Sequence, residues 1–184
     1  MKERFGLDKA HTAIGFSAKH LGVSTVRGSF DQFEGYFEAD REDLSTATGE
    51  VTVQVASIST KQEQRDAHLR SADFFDAEKY PTMTFKLTGI REQDSQTYRV
   101  EGELTIKETT RPVALEAVFE GETPDPTGSG GTRIGVSALG QVNRMDFGLN
   151  WDGLAGAVPF ASHTIRLQID AELIATPVAA EVGA

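Results

Sequence analysis

Apolar and polar residues alternate along most of this chain, the period-2 signature of strands that bury one face. Ile14, Phe16, Ala18 and His20 fall on one face, with Ser17 and Lys19 on the other. Val26, Gly28 and Phe30 share a face, and then Phe33, Gly35, Phe37 and Ala39 do. The three-residue step from Phe30 to Phe33 breaks the period and predicts a β-bulge or bend. Val51, Val53 and Val55 mark the next strand. Met83, Phe85 and Leu87 follow the stop signal Tyr80-Pro81, then Tyr98, Val100, Gly102, Leu104 and Ile106, then Val113, Leu115, Ala117 and Phe119. The clearest alternation lies in Ile134–Val142 and Ile165–Leu173. Together these segments predict about eight strands, mostly joined by links short enough for antiparallel neighbours.

Residues 59–75 break this rule. Thr60 is followed three residues later by Glu63, a capping-box spacing, and the charged run Arg65–Arg70 fits about two helical turns ending in Phe74-Phe75. One short charged helix among long strands predicts a closed sheet with a lid. Eight strands with one apolar face either close as a barrel or stack as a sandwich. Runs of nine or more residues favour the tilted staves of a barrel, with roughly six being the usual strand length elsewhere. Gly28, Gly35, Gly102, Ala117, Ala138, Gly140 and Ala171 put small residues on the inner faces, which points to a lumen with room in it. The alternative is that these glycines only let the strands coil.

Composition narrows the classes. The 184 residues are expected to form one domain spanning 1–184, large enough to bury a core. There is no Cys, so disulfides, thiolate nucleophiles and Cys-based zinc sites are excluded. The formal net charge of -10 opposes phosphate-backbone binding, and nucleic acid is set aside as a partner. No run approaches the roughly 18 apolar residues of a membrane span. No signal peptide is visible at residues 1–6, so a cytoplasmic location is expected. Glu122–Thr132 reads as a mobile loop, and 175–184 as a flexible tail.

A series of short motifs in fixed order resembles the YceI-like family, bacterial lipocalin-like proteins that bind polyisoprenoids and other long amphiphilic lipids. The series covers Asp8 to about Leu173. It includes Asp8-x-x-His11-Thr12, Phe16-x-x-Lys19-His20-Leu21-Gly22 and Gly28-x-Phe30. The most specific is Arg65-Asp66-x-His68-Leu69-Arg70-Ser71-x-Asp73-Phe74-Phe75, followed by Tyr80-Pro81 and Phe85. Gly102-x-Leu104-Thr105-Ile106, Thr110-Arg111-Pro112-Val113-x-Leu115 and Arg144-x-Asp146-Phe147-Gly148 complete it. The resemblance implies an all-β fold, an extended eight-stranded antiparallel lipocalin-like barrel with one short helix near the opening. Its apolar lumen would hold a polyisoprenoid, a quinone or another long-chain lipid, without a further cofactor, in a chain able to form a homodimer. Many relatives carry a secretion signal that is not seen here. Where Glu108 stands the family usually has a turn glycine, so the Lys107–Arg111 hairpin is expected to be built differently.

The candidate ligand contacts follow from the inward faces and the family-like segments. They are Ile14, Phe16, His20, Phe30, Phe37, His68, Phe75, Phe85, Gly102, Arg111, Gly140, Arg144 and Trp151. His20, inward at a strand end, reads either as a head-group contact or as a satisfied core histidine. Arg111 and Arg144 suit a phosphate or carboxylate head group, or else a salt bridge with one of the chain's own carboxylates. Trp151 suits a rim with one apolar and one wet side, or simple loop packing. Asp66 and His68, two apart on a helix, do not face each other, whereas Asp66 and Arg70 are spaced for a surface ion pair. The four histidines (11, 20, 68 and 163) show no His-Glu-x-x-His spacing, and no metal site is expected. No Gly-x-Ser-x-Gly elbow is present. The expected function is non-enzymatic binding, sequestration or transport of an isoprenoid or similar amphiphilic lipid. The alternative is an enzyme that uses His20 or His68 on a hydrophobic substrate.

Overall fold

The computed structural model describes residues 2–127, 131–155 and 158–177. In chain order the strands are β1 (Lys2–Leu7), β2 (Ala13–His20), β3 (Ser24–Phe30), β4 (Phe33–Asp40), β5 (Asp43–Gln54) and β6 (Ile58–Ser59). After helix α1 (Glu63–Arg70) come β7 (Thr82–Glu92), β8 (Thr97–Ile106), β9 (Thr109–Pro124), β10 (Thr132–Asn143), β11 (Leu154–Ala155), β12 (Val158–Pro159) and β13 (Thr164–Pro177). Every pairing is antiparallel, and the sheet closes on itself as an eight-stave barrel.

Closure depends on β13, whose fourteen residues serve as a shared seam. One edge pairs with β10 from Thr132↔Ala175 to Asn143↔Thr164. The other edge is divided, β1 taking Leu173–Pro177 and β2 taking Arg166–Asp170. β1 and β2 therefore run in succession along one stave, and β3 and β4 along the next. The predicted break at Phe30–Phe33 is the bend between β3 and β4, and both phenylalanines are buried in one cluster.

Three local features depart from the sequence pattern. The N-terminal residues form a strand that the pattern reading missed, because a single buried residue, Phe5, marks its inner face. At the other end Ala175–Pro177 belong to β13, with Ala175 buried against β1 and β10, and not to a flexible tail. The rest of that expected tail, 178–184, lies outside the described residues. Likewise Glu122–Pro124 extend β9, and buried Asp125 accepts hydrogen bonds from Thr127 and Arg133, so the expected loop is largely structured. Its residues 128–130 are outside the described set.

One end of the barrel is packed solid by Phe5, Ala39, Ala47, Leu87, Ile134 and Ala175, with Phe37 and Phe85 against them. Nearby on that half, Arg133 donates to Asp8, Asp125 and Glu172, and Arg41 to Glu3 and Glu122, clamping strands distant in sequence. Two further clusters, around Phe30, Phe33, Val53 and Ile58 and around Ile106, Val113, Phe147 and Leu149, form opposite walls of the other half. Phe75 and Met83 touch both. Among the described residues α1 is the one α-helix, and it lies against β6 at this second half.

Candidate functional site

Between the two walls lies a cavity of about 490 Å³, within the usual size of a small-molecule pocket. Of the candidate contacts, Ile14, Phe16, His20, Phe30 and Phe37 line it from β2, β3 and β4. His68, Phe75, Phe85, Arg144 and Trp151 line it from the helix, its following turn, β7 and the 144–163 loop. Gly102, Gly140 and Arg111 do not.

The glycines fail as lining for a common reason. A Cβ on Gly102 would press into the Phe85 ring and sit 2.7 Å from the Lys86 carbonyl, and one on Gly140 would meet the Leu115 side chain. At Gly28 the Phe16 ring occupies the same place. Each glycine is thus a recess filled by a larger side chain from the neighbouring strand, an aromatic or aliphatic cover over a coiling position. The small inner residues do not supply the lumen's volume; they let Phe85, Phe16 and Leu115 lie flat along its wall. Arg111, near the β8–β9 turn, is exposed, and its Nη1 donates to the carbonyl of Thr110. At that turn Lys107, not Glu108, takes the left-handed conformation (φ 57), and its Nζ donates to the Phe74 carbonyl at 2.7 Å.

Arg144 lines the cavity with its stem, but its head is committed to protein. Nε donates to Ser162 O, Nη1 to Leu149 O and Trp151 O, and Nη2 to Asp152 Oδ1 and Ala161 O, at 2.5–3.3 Å. These contacts use all five guanidinium hydrogens, so none remains for a ligand. Burial pushes this group below its ordinary pKa, with Asp152 opposing the shift. The expected head-group contact is therefore the post that holds the 144–163 loop. Gly148, at φ 72, ends the short helical turn Arg144–Phe147 and turns buried Phe147 and Leu149 toward the cavity.

The helix is built differently from its capping-box spacing. Gln62 is the N-cap, its side chain accepting from Arg65 N. Thr60 instead serves a buried polar node: its N and Oγ1 both donate to Asp66 Oδ1, at 2.8 and 2.5 Å. Asp66 is 4% exposed, so it does not form the expected surface pair with Arg70, which bonds Glu63 at 2.6 Å instead. With Asp66 turned inward on Thr60, the 65, 68, 69 face of the helix meets the cavity, as the helical repeat requires.

The open end carries the polar groups. His20 Nδ1 lies 3.0 Å from Phe160 O; a carbonyl only accepts, so this nitrogen donates. His68 Nε2 is 2.8 Å from Asp73 Oδ2, and its ring meets Phe74 and Trp151 edge-on at 5.1 and 4.7 Å. Trp151 and Phe160 are each more than a third exposed at this rim. The pattern reading missed Thr60, Arg65, Phe147, Leu149 and Phe160 as cavity residues. Only Arg65 had a local signal, its shared helix face with Leu69. Elsewhere, Asp8, His11 and Glu172 bring ligand atoms within 4.8 Å of one another, but both carboxylates are bonded to Arg133.

The comparisons agree with this architecture. A model of the YceI-like domain matches residues 5–173. A UPF0312 protein of Vibrio cholerae is 35% identical over 86% of this chain and 83% of its own length. One from Staphylococcus aureus is 38% identical over 80% and 83%. Among solved structures, the Campylobacter jejuni YceI protein superposes with TM-score 0.73 at 32% identity, covering 93% of this chain and 97% of that one. Burkholderia cenocepacia BcnA shares the fold at TM-score 0.78 and 20% identity, covering 92% and 99%. A polyisoprenoid-binding domain of Saccharophagus degradans, implicated in plant cell wall breakdown, does so at 0.67 and 14%, covering 94% and 98%. With the barrel, the short helix and the matched segments in agreement, the chain belongs to the YceI-like family.

Proposed function

We propose that the protein is a non-enzymatic binder of one amphiphilic lipid, an isoprenoid or a similar long chain, held with its tail in the barrel and its polar end at the helix. The observation that carries this reading is the cavity itself: apolar walls, one packed end, and polar groups gathered at the other. Burying each methylene gains about 0.8 kcal/mol, so about ten would contribute roughly 8 kcal/mol before the cost of ordering the ligand. A tail needs no directional partner, so the walls can be almost wholly apolar. The description of the S. degradans domain as polyisoprenoid-binding supports the same reading.

Native mass spectrometry of the purified protein, followed by organic extraction, tests it. A stoichiometric lipid recovered chemically unaltered after prolonged incubation is the expected result. Protein that takes up no prenyl or acyl lipid when offered one, or that converts it to product, would overturn the proposal.

A further inference from the structure

Resting on the lipid-binding reading, the geometry points to an anionic head group, a phosphate or carboxylate, held by Arg65 at the helix end of the cavity. The chain has 28 Asp and Glu residues and a net charge of -10, yet among the described residues no carboxylate side chain lines the cavity. Arg65 does line it, in the first turn of α1. It makes no ion pair among the described residues, although Glu63 and Asp66 are its near neighbours in sequence.

Each nearby carboxylate is occupied elsewhere. Glu63 bonds Arg70, Asp73 bonds His68, Asp152 bonds Arg144, and Asp66 is buried on Thr60. Arg65 is nevertheless positioned: Nε donates to Thr60 Oγ1 at 2.7 Å and Nη2 to Thr60 O at 3.0 Å. Thr60 Oγ1 in turn donates to Asp66, so a buried relay orients the guanidinium. Nη1 has no hydrogen-bond partner among the described residues. A planar cation held along one edge, with donors left on the other, suits an oxyanion that accepts two hydrogen bonds. Among the described cavity residues the other arginine, Arg144, has no donor left to compete, and Lys19, which also lines the cavity, is a single ammonium without the planar fork.

The test uses one prenyl chain with three ends: geranylgeranyl phosphate, geranylgeranoic acid and geranylgeraniol, titrated at pH 8 by Trp151 fluorescence. At least one anion should bind about tenfold or more tightly than the alcohol, the scale of a charge-assisted hydrogen bond. Which anion leads identifies phosphate or carboxylate. Arg65→Gln should bring the anion-to-alcohol affinity ratio close to one. Raising salt on the unmodified protein should narrow the same ratio, a readout independent of how the variant folds. Equal binding of all three, or a ratio that Arg65→Gln leaves unchanged whatever salt does, overturns the head-group assignment while the lipid reading stands. Failure of all three to bind overturns the lipid reading itself, and the assignment with it.

Discussion

Arg144 should be worth as much to the stability of this barrel as a buried phenylalanine, whose truncation to Ala costs about 3–5 kcal/mol. Replacing it with Ala removes five hydrogen bonds at once, to four backbone carbonyls and Asp152. At about 1 kcal/mol net each, the sum approaches 5 kcal/mol. Water can reach some of the freed acceptors, but the Leu149 carbonyl is buried, so the expected loss is about 3–5 kcal/mol, the range seen when one partner of a buried charged network is removed. Arg144→Lys keeps the charge and most of the stem, but an ammonium has three donors, so at least two acceptors lose their partner, for a loss of about 2 kcal/mol. Urea unfolding should be followed by Trp151 emission, which reports the loop, and by far-UV circular dichroism, which reports the barrel. In Arg144→Ala the tryptophan transition should come first, because Leu149, Trp151 and Ala161 have lost their common post. A variant within 1 kcal/mol of the parent, with unchanged emission and coincident transitions, would refute the reasoning.

Gly102→Ala should destabilise by about 1–3 kcal/mol through overpacking, since its Cβ meets the Phe85 ring and Lys86 O; adding Phe85→Leu should recover part of the loss in the same urea assay. Asp8 is held down to about 2, first by hydrogen bonding to Arg133, then to His11 and the Ala10 amide. Because the folded value lies below the ordinary 3.8, its contribution is complete above about pH 4 and lost as pH falls toward 2. Asp8→Asn should flatten the stability–pH curve between those limits; an unchanged slope would show that the carboxylate is not held in this way. Thr60→Val should cost about 1.5–3 kcal/mol by taking the hydroxyl from buried Asp66, visible as earlier loss of helical signal on heating.

The alternation of apolar and polar residues settled much of the fold in advance, because strand periodicity is a local property. It placed β2 to β5, β7 to β10 and most of β13, and the bend at Phe30–Phe33. The inward cavity residues Phe16, Phe30, Phe37 and Phe85 followed from the same parity. The helix was legible from a break in that parity, although its true cap, Gln62, lies outside the usual Ser/Thr/Asp/Asn signal. What parity cannot do is say which neighbour fills the space beside an inward residue. Gly102 and Gly140 have the right face for a lumen, yet Phe85 and Leu115 from adjacent strands cover them. Long-range partners also decided the arginines: Arg144 is spent on carbonyls up to eighteen residues away, and Arg111 stays at the surface. Arg65 is oriented by a buried threonine–aspartate pair with no sequence signature of its own. The first strand is the plainest case. Lys2–Leu7 has little hydrophobic pattern, and it is a stave because β4 and β13 each offer it a free backbone edge. Unpaired backbone groups at a sheet edge are satisfied by whatever segment the closing barrel brings there, and that is decided only in three dimensions.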